Sequence, residues 1–140
     1  VIIASDSAVI GDPHVKVGLV AGDGGAMIWP QPIGFAKAKE LLMTGDMLTG
    51  QQAMDLGLIN YSVPPEELDA KVGELVGKIM GNPKWAVRWT KTAANITLRE
   101  IAVKVMDAAI AYEAITNTLE DRKEAVAAFK EKRVPNFTGE

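Results

Sequence analysis

Apolar and polar positions change rhythm twice along this chain. Val1-Ile2-Ile3-Ala4 is a bare apolar run of strand type and Ala8-Val9-Ile10 a second one, with the turn residues Ser5-Asp6-Ser7 between them. Val15, Val17 and Leu19 then alternate with Lys16 and Gly18, the period-two spacing of an extended segment with one buried side. Gly22, Gly24 and Gly25 predict a turn with close backbone approach that opens a short helix over about Gly24 to Trp29. Such a turn aims backbone N–H groups and the positive end of a helix dipole at whatever lies in front of it. Pro30-Gln31-Pro32 predicts the end of that helix, because proline cannot donate and disfavours helix at the residue before it. A helix resumes over Phe35 to Met43 and stops at Thr44-Gly45. Thr49-Gly50-Gln51-Gln52 has the form of a capping box, so a helix starts there and ends at Gly57, followed by a strand over Leu58 to Val63.

After Pro64-Pro65 the pattern turns helical throughout. Pro65 at a first helical position, with Glu66 and Glu67 at the dipole's positive end, is a start signal for a helix to about Met80. Its Leu68, Val72, Leu75, Val76 and Ile79 define one buried stripe. A helix from about Lys84 to Asn95 follows, with Trp85 and Trp89 on one face, then a longer one from Leu98 to about Asn117. Thr118-Leu119-Glu120-Asp121 resembles a capping motif before a last helix ending near Lys132. The expected class is α/β, a short β section followed by a mostly helical tail.

Composition narrows the functions open to such a chain. Its 140 residues carry a formal net charge of −3, which gives no basic field to attract nucleic acid or an anionic membrane. No apolar run approaches the ~20 residues of a membrane span. The absence of cysteine removes disulfides, thiolate catalysis and Cys-type zinc sites and suits an intracellular, cytoplasmic protein. One histidine without a nearby carboxylate pair at ligand spacing argues against a transition-metal site.

The stretch that concentrates chemistry is Gly11-Asp12-Pro13-His14 through Gly24-Gly25, which holds the only histidine. Together with Lys39-Glu40-Leu41-Leu42-Met43-Thr44-Gly45-Asp46, Ala53-Met54-Asp55-Leu56-Gly57-Leu58-Ile59-Asn60, Glu120 to Val126 and Phe129 to Phe137, it resembles the crotonase (enoyl-CoA hydratase/isomerase) family. The resemblance covers the chain in family order, but only the second half of a family member. It implies the C-terminal part of a crotonase-like (ClpP/crotonase) spiral fold, with residues 1–63 in the β/α spiral core and 64–140 as a helical oligomerisation region. It also implies an acyl-CoA substrate, an enolate intermediate, coenzyme A only as part of the substrate with no separate cofactor, and a homotrimer, often doubled to a hexamer. Both backbone donors of the family's oxyanion hole, and one of the two hydratase glutamates, belong to segments upstream of Val1. In the family's pattern Val1 lies mid-strand, so the beginning reads as cut: a true fragment, or a chain with further residues before it.

The second hydratase glutamate falls on His14. An imidazole acts as acid or base near its reference pKa of roughly 6.5 but presents one acceptor at most, which argues against standard hydration. His14 is thus a general acid/base at the acyl pocket or a hydrogen-bonded loop histidine. Asp23 places a carboxylate at the pocket rim or serves as a helix N-terminal acid. The resemblance puts Gly22 where hydratases position the reacting water, and Lys132 on the CoA phosphates across a subunit boundary. For Lys132, as for Lys130 and Arg133, the plain alternative is a cation at a helix C-terminus. Trp85 and Trp89 suit a core or an interface better than an adenine platform. Two functional readings follow: a crotonase-family enzyme acting on an acyl-CoA, or a non-catalytic fragment without the oxyanion hole that self-associates or only binds CoA. Hydratase, isomerase or another reaction stays open, because one fold hosts many chemistries.

Overall fold

In the computed structural model, which describes residues 1–140, the elements follow in order as β1 (Ile3–Ser5), β2 (Val9–Ile10), a 3-10 turn (His14–Val17), α1 (Gly25–Ile28) and α2 (Pro30–Thr44). They continue with β3 (Leu48–Thr49), α3 (Gly50–Asp55), β4 (Tyr61–Val63), a 3-10 turn (Pro65–Glu67), α4 (Leu68–Met80), α5 (Lys84–Thr116) and α6 (Glu120–Glu131). No helix is long and apolar enough to cross a membrane. The chain divides into two units, each made of two stretches: Val1–Ile10 with Leu48–Val103, and Gly11–Met47 with Lys104–Glu140.

In the first unit, β1 pairs in parallel with β4, Ile3 opposite Tyr61 and Ser5 opposite Val63, and β2 pairs antiparallel with β3. The capping box at Thr49 forms as its spelling requires. The Thr49 hydroxyl accepts from Gln52 N–H at 3.2 Å, and the Gln52 side chain accepts from Thr49 N–H at 2.9 Å, which satisfies two donors that α3 leaves open. The apolar stripe of α4 departs from the expectation of burial: Val72, Val76 and Ile79 are each about two-fifths exposed. They line an open groove of about 1100 Å³ together with Val1, Ile3, Leu75, Ala86 and Val87. Trp85 and Trp89 do share a face, with ring centroids 6.5 Å apart, but both are more than half exposed.

The second unit contains the core cluster Ala21, Ala38 and Leu42, with Trp29 and Ile33 packed on it. Pro30 is tolerated because it occupies the first position of α2, where its missing N–H is not needed. The break expected at the prolines falls instead at Gly34, whose φ of 76° and ψ of 159° lie outside helical values.

Four more expectations are corrected. The Val15 to Leu19 alternation is a 3-10 turn rather than an extended segment: Lys16 N–H bonds back to Pro13 O, and Gly18, at φ 71°, ends the turn. The two helices expected on either side of Asn95 to Leu98 are one, Lys84–Thr116, since no glycine or proline lies between them to interrupt the ladder. The strand after α3 starts only at Tyr61, while Leu58 and Ile59 bury their side chains in a turn. Thr118 does not cap α6; its hydroxyl donates backward to Ile115 O at 2.7 Å, and Leu119 takes the cap position without a side-chain bond.

Candidate active site

The 3-10 turn that replaces the expected strand is what builds the site. A proline fixes φ at 13, and the Asp12 carboxylate folds over it as an Asx-type turn, accepting from His14 N–H at 3.3 Å. The same oxygen lies 2.5 Å from His14 Nδ1. That separation is a short hydrogen bond, with the proton held between nitrogen and carboxylate oxygen. Asp12 is 8% exposed, the only buried charged residue in the chain. On the other side of the ring, Nε2 lies 3.7 Å from Asp23 Oδ2, and Asp23 is largely exposed. Donor atoms of all three residues fall within 4.8 Å of one another, a grouping that His14 and two carboxylates at positions 12 and 23 form only through the turn.

The electrostatics follow from this placement. Partial burial of His14 lowers its pKa, but the hydrogen bond to Asp12, the Asp12 charge, and the more distant charges of Asp23 and Glu113 outweigh it, so the imidazole holds its proton above the usual histidine range.

The loop is positioned by segments far along the chain. Val20 N–H donates to Thr116 Oγ1 at 3.2 Å near the end of α5, and Arg122 on α6 donates to Val17 O at 3.0 Å. Gly22 is buried against α5: a Cβ there would lie 2.3 Å from Ala109 O and 2.8 Å from Glu113 Cβ. Its N–H is taken by Val20 O at 2.8 Å. A Cβ on Gly25 would lie 2.0 Å from Asp12 Oδ2, so this glycine leaves the space into which the buried carboxylate fits. Beside the loop, a recess of about 420 Å³ lined by Val15, Leu19, Val20, Ala26, Leu42 and Met43 is almost wholly apolar and does not include His14.

The structure thus brings His14 and Asp23 together, sets Gly22 in the same loop, and adds Asp12, which the sequence reading did not single out. The signal for Asp12 was local: an aspartate two residues before the histidine, across a proline. Lys132 lies at the end of α6 at φ 55°, the only non-glycine residue with positive φ. There it closes the helix: Lys132 N–H donates to Phe129 O and Arg133 N–H to Ala128 O, at 3.3 and 3.0 Å.

Comparison with known proteins resolves the family. The enoyl-CoA hydratase/isomerase profile matches residues 1–140. The chain belongs to the enoyl-CoA hydratase/isomerase family. It is 36% identical over 135 residues to a crotonyl-CoA hydratase of Syntrophomonas wolfei, covering 96% of this chain and 52% of the relative. It is 39% identical over 143 residues to the mitochondrial enoyl-CoA hydratase domain-containing protein 2 of Bos taurus, covering 99% of this chain and 48% of the relative. Its fold superposes on the crystal structure of a carnitinyl-CoA hydratase from Mycobacterium avium with a TM-score of 0.91 at 31% identity, over 99% of this chain and 54% of that one. This enoyl-CoA hydratase/isomerase family chain therefore has part of the crotonase-like fold, as the resemblance implied, and spans about half the length of the curated relatives it matches.

Proposed function

We propose that this chain forms the proton-transfer half of a crotonase-type site that works on an acyl-CoA thioester through an enolate. The observation that carries the reading is His14 held between two carboxylates, 2.5 Å from Asp12 and 3.7 Å from Asp23, at the position matching a hydratase glutamate. An imidazole with Nδ1 engaged has Nε2 left for proton exchange, and one such group suits the removal and return of a single proton at carbon. Asp23 stands beside it as a second polar group. Activating a water is a poorer match, because an imidazole with Nδ1 engaged offers one acceptor at most, where a glutamate pair holds a water through two. Proton relocation, as in double-bond isomerisation, is therefore the favoured reaction type.

Gly22 and Lys132 are the proposed substrate contacts. Gly22 contributes close backbone approach rather than a donor, since its N–H is occupied, and Lys132 contributes a cation for the CoA phosphates. Coenzyme A enters as part of the substrate. The oxyanion donors lie in segments the resemblance places before residue 1, and a preorganised donor of that kind supplies about 3–4 kcal/mol of transition-state stabilisation. The open α4 groove and the exposed Trp85 and Trp89 support an assembly surface on the helices of residues 64–140, with a trimer or hexamer as the proposed form. The spiral core over 1–63 is proposed from the resemblance, and the cytoplasm from the cysteine-free composition.

The test is turnover of 2-enoyl-CoA and 3-enoyl-CoA by the intact protein and its His14→Gln variant. The expected result is isomerisation exceeding hydration, with kcat falling about 10²–10⁴-fold in the variant. Equal turnover by the variant overturns the acid/base role. CoA binding without turnover by the parent protein supports the binding-only reading instead.

A further inference from the structure

We infer that Asp12 is a positioning residue: it holds Nδ1–H of His14, presents Nε2 as the only nitrogen able to exchange a proton with substrate, and depends on the missing side chain of Gly25 for its place. The inference rests on His14 being the acid/base of the site, and goes beyond it by naming what orients and charges that group. Three observations converge. A carboxylate is costly to bury unless its oxygens are satisfied, yet Asp12 is 8% exposed with one oxygen engaged twice by the same residue, through His14 N–H at 3.3 Å and Nδ1 at 2.5 Å. Its other oxygen occupies the space a side chain at position 25 would fill, 2.0 Å from that Cβ. The turn that carries His14 is tied on its C-terminal side, at Val17 and Val20, to Arg122 and Thr116.

The chemical consequence is a fixed tautomer. With Nδ1–H directed at Asp12, neutral His14 carries its lone pair on Nε2, and the charged form carries its exchangeable proton there. In the forward half of the reaction a C–H bond of the thioester breaks, its electron pair enters the enolate, and the proton forms the Nε2–H bond. In the return half that N–H bond breaks as a C–H bond forms at the other end of the enolate system. Asp12 keeps its charge throughout and offsets the imidazolium formed in between. Asp12, Asp23 and Glu113 are the charged groups that act on the ring.

His14 is the only histidine in the sequence, so its ring nitrogens can be read directly by nitrogen-15 NMR on labelled protein, with His14→Gln assigning the signals. The expected wild-type spectrum shows a protonated Nδ1 that stays protonated through the titration, with an apparent pKa above that of a free histidine. In Asp12→Asn the pKa falls, the Nδ1 signature weakens, and the acid-side limb of the kcat/KM profile moves to lower pH, with kcat down about 10–10²-fold and KM little changed. Gly25→Ala, which displaces Asp12 without altering a charge, moves the same signals in the same direction by a smaller amount. Unchanged tautomer and pH profile in both variants, with His14→Gln inactive, overturns the inference while leaving the acid/base reading intact. An active His14→Gln overturns the acid/base reading, and the NMR result then decides whether Asp12 still fixes the ring.

Discussion

Gly22→Ala is the perturbation whose outcome the structure fixes best, because two effects of opposite sign meet there. Gly22 has no positive φ, so alanine fits its backbone and would stabilise by about 0.4–1 kcal/mol through lost freedom of the unfolded chain. Against this, the added Cβ would meet Ala109 O at 2.3 Å and Ala109 C at 2.8 Å, roughly an ångström inside ordinary contact. The obstacle is helix backbone, which no side-chain rotation removes, and the Glu113 Cβ at 2.8 Å is equally fixed to its helix. Overpacking of this kind costs about 1–3 kcal/mol, so the steric effect wins and the variant is destabilised by about 1–2 kcal/mol. Urea denaturation measures this as a lower midpoint at unchanged slope, and a thermal scan as a loss of about 3–6 °C. The shift also carries Asp23, the next residue, away from His14 Nε2, so the His14 pKa falls in the same protein. A variant as stable as the parent, or more so, would refute the claim that the loop is seated on α5.

Other substitutions test separate parts of the argument. Thr49→Ala removes the half of the capping box that the Thr49 hydroxyl supplies and is expected to lose about 1 kcal/mol in denaturant titration, where Thr49→Ser should lose little. Lys132→Gly relieves a non-glycine residue held at φ 55° and is expected to stabilise by about 0.5–1 kcal/mol while raising KM for the CoA substrate several-fold, so a rise in midpoint together with weaker binding is the signature to look for. The His14 charge also leaves a pH signature in stability. A pKa raised by folding stabilises fully below the unfolded value of about 6.5, and that stabilisation is lost as pH rises through the folded value, so the stability gap between parent and Asp12→Asn should close toward alkaline pH.

What the sequence disclosed was whatever is settled within a few residues. Thr49 to Gln52 spells a motif whose donors and acceptors are all local, and it forms as written. The proline at 65 starts a helical turn for the same reason. The alternation from Val15 to Leu19 misled, since four or five residues are too few to separate period two from a tight turn, and the deciding contact is the Asp12 side chain rather than hydrophobicity. Thr118 has the chemistry of a cap but spends its hydroxyl on the preceding helix. The α4 stripe was read correctly as apolar and incorrectly as buried, because burial depends on what covers a face and spacing reports only the face. In the site, His14 and Asp23 were legible as residue types. Asp12 was not singled out, and the close seating of Gly22 and Gly25 exists only once distant segments have come together.

The ties from the site loop to Thr116 and Arg122 set a schedule for synthesis. Val20 and Thr116 are 96 positions apart, and Val17 and Arg122 are 105. At about 5–20 residues per second, a ribosome takes on the order of 5–20 s between making the loop and making its anchors. During that interval the nascent chain carries Asp12, His14 and the glycines without the helix ends that seat them. The loop that carries Asp12, His14 and Asp23 is therefore among the last parts of the molecule to be seated, and a ribosome that stalls inside α5 leaves behind a loop with its side chains present and unorganised.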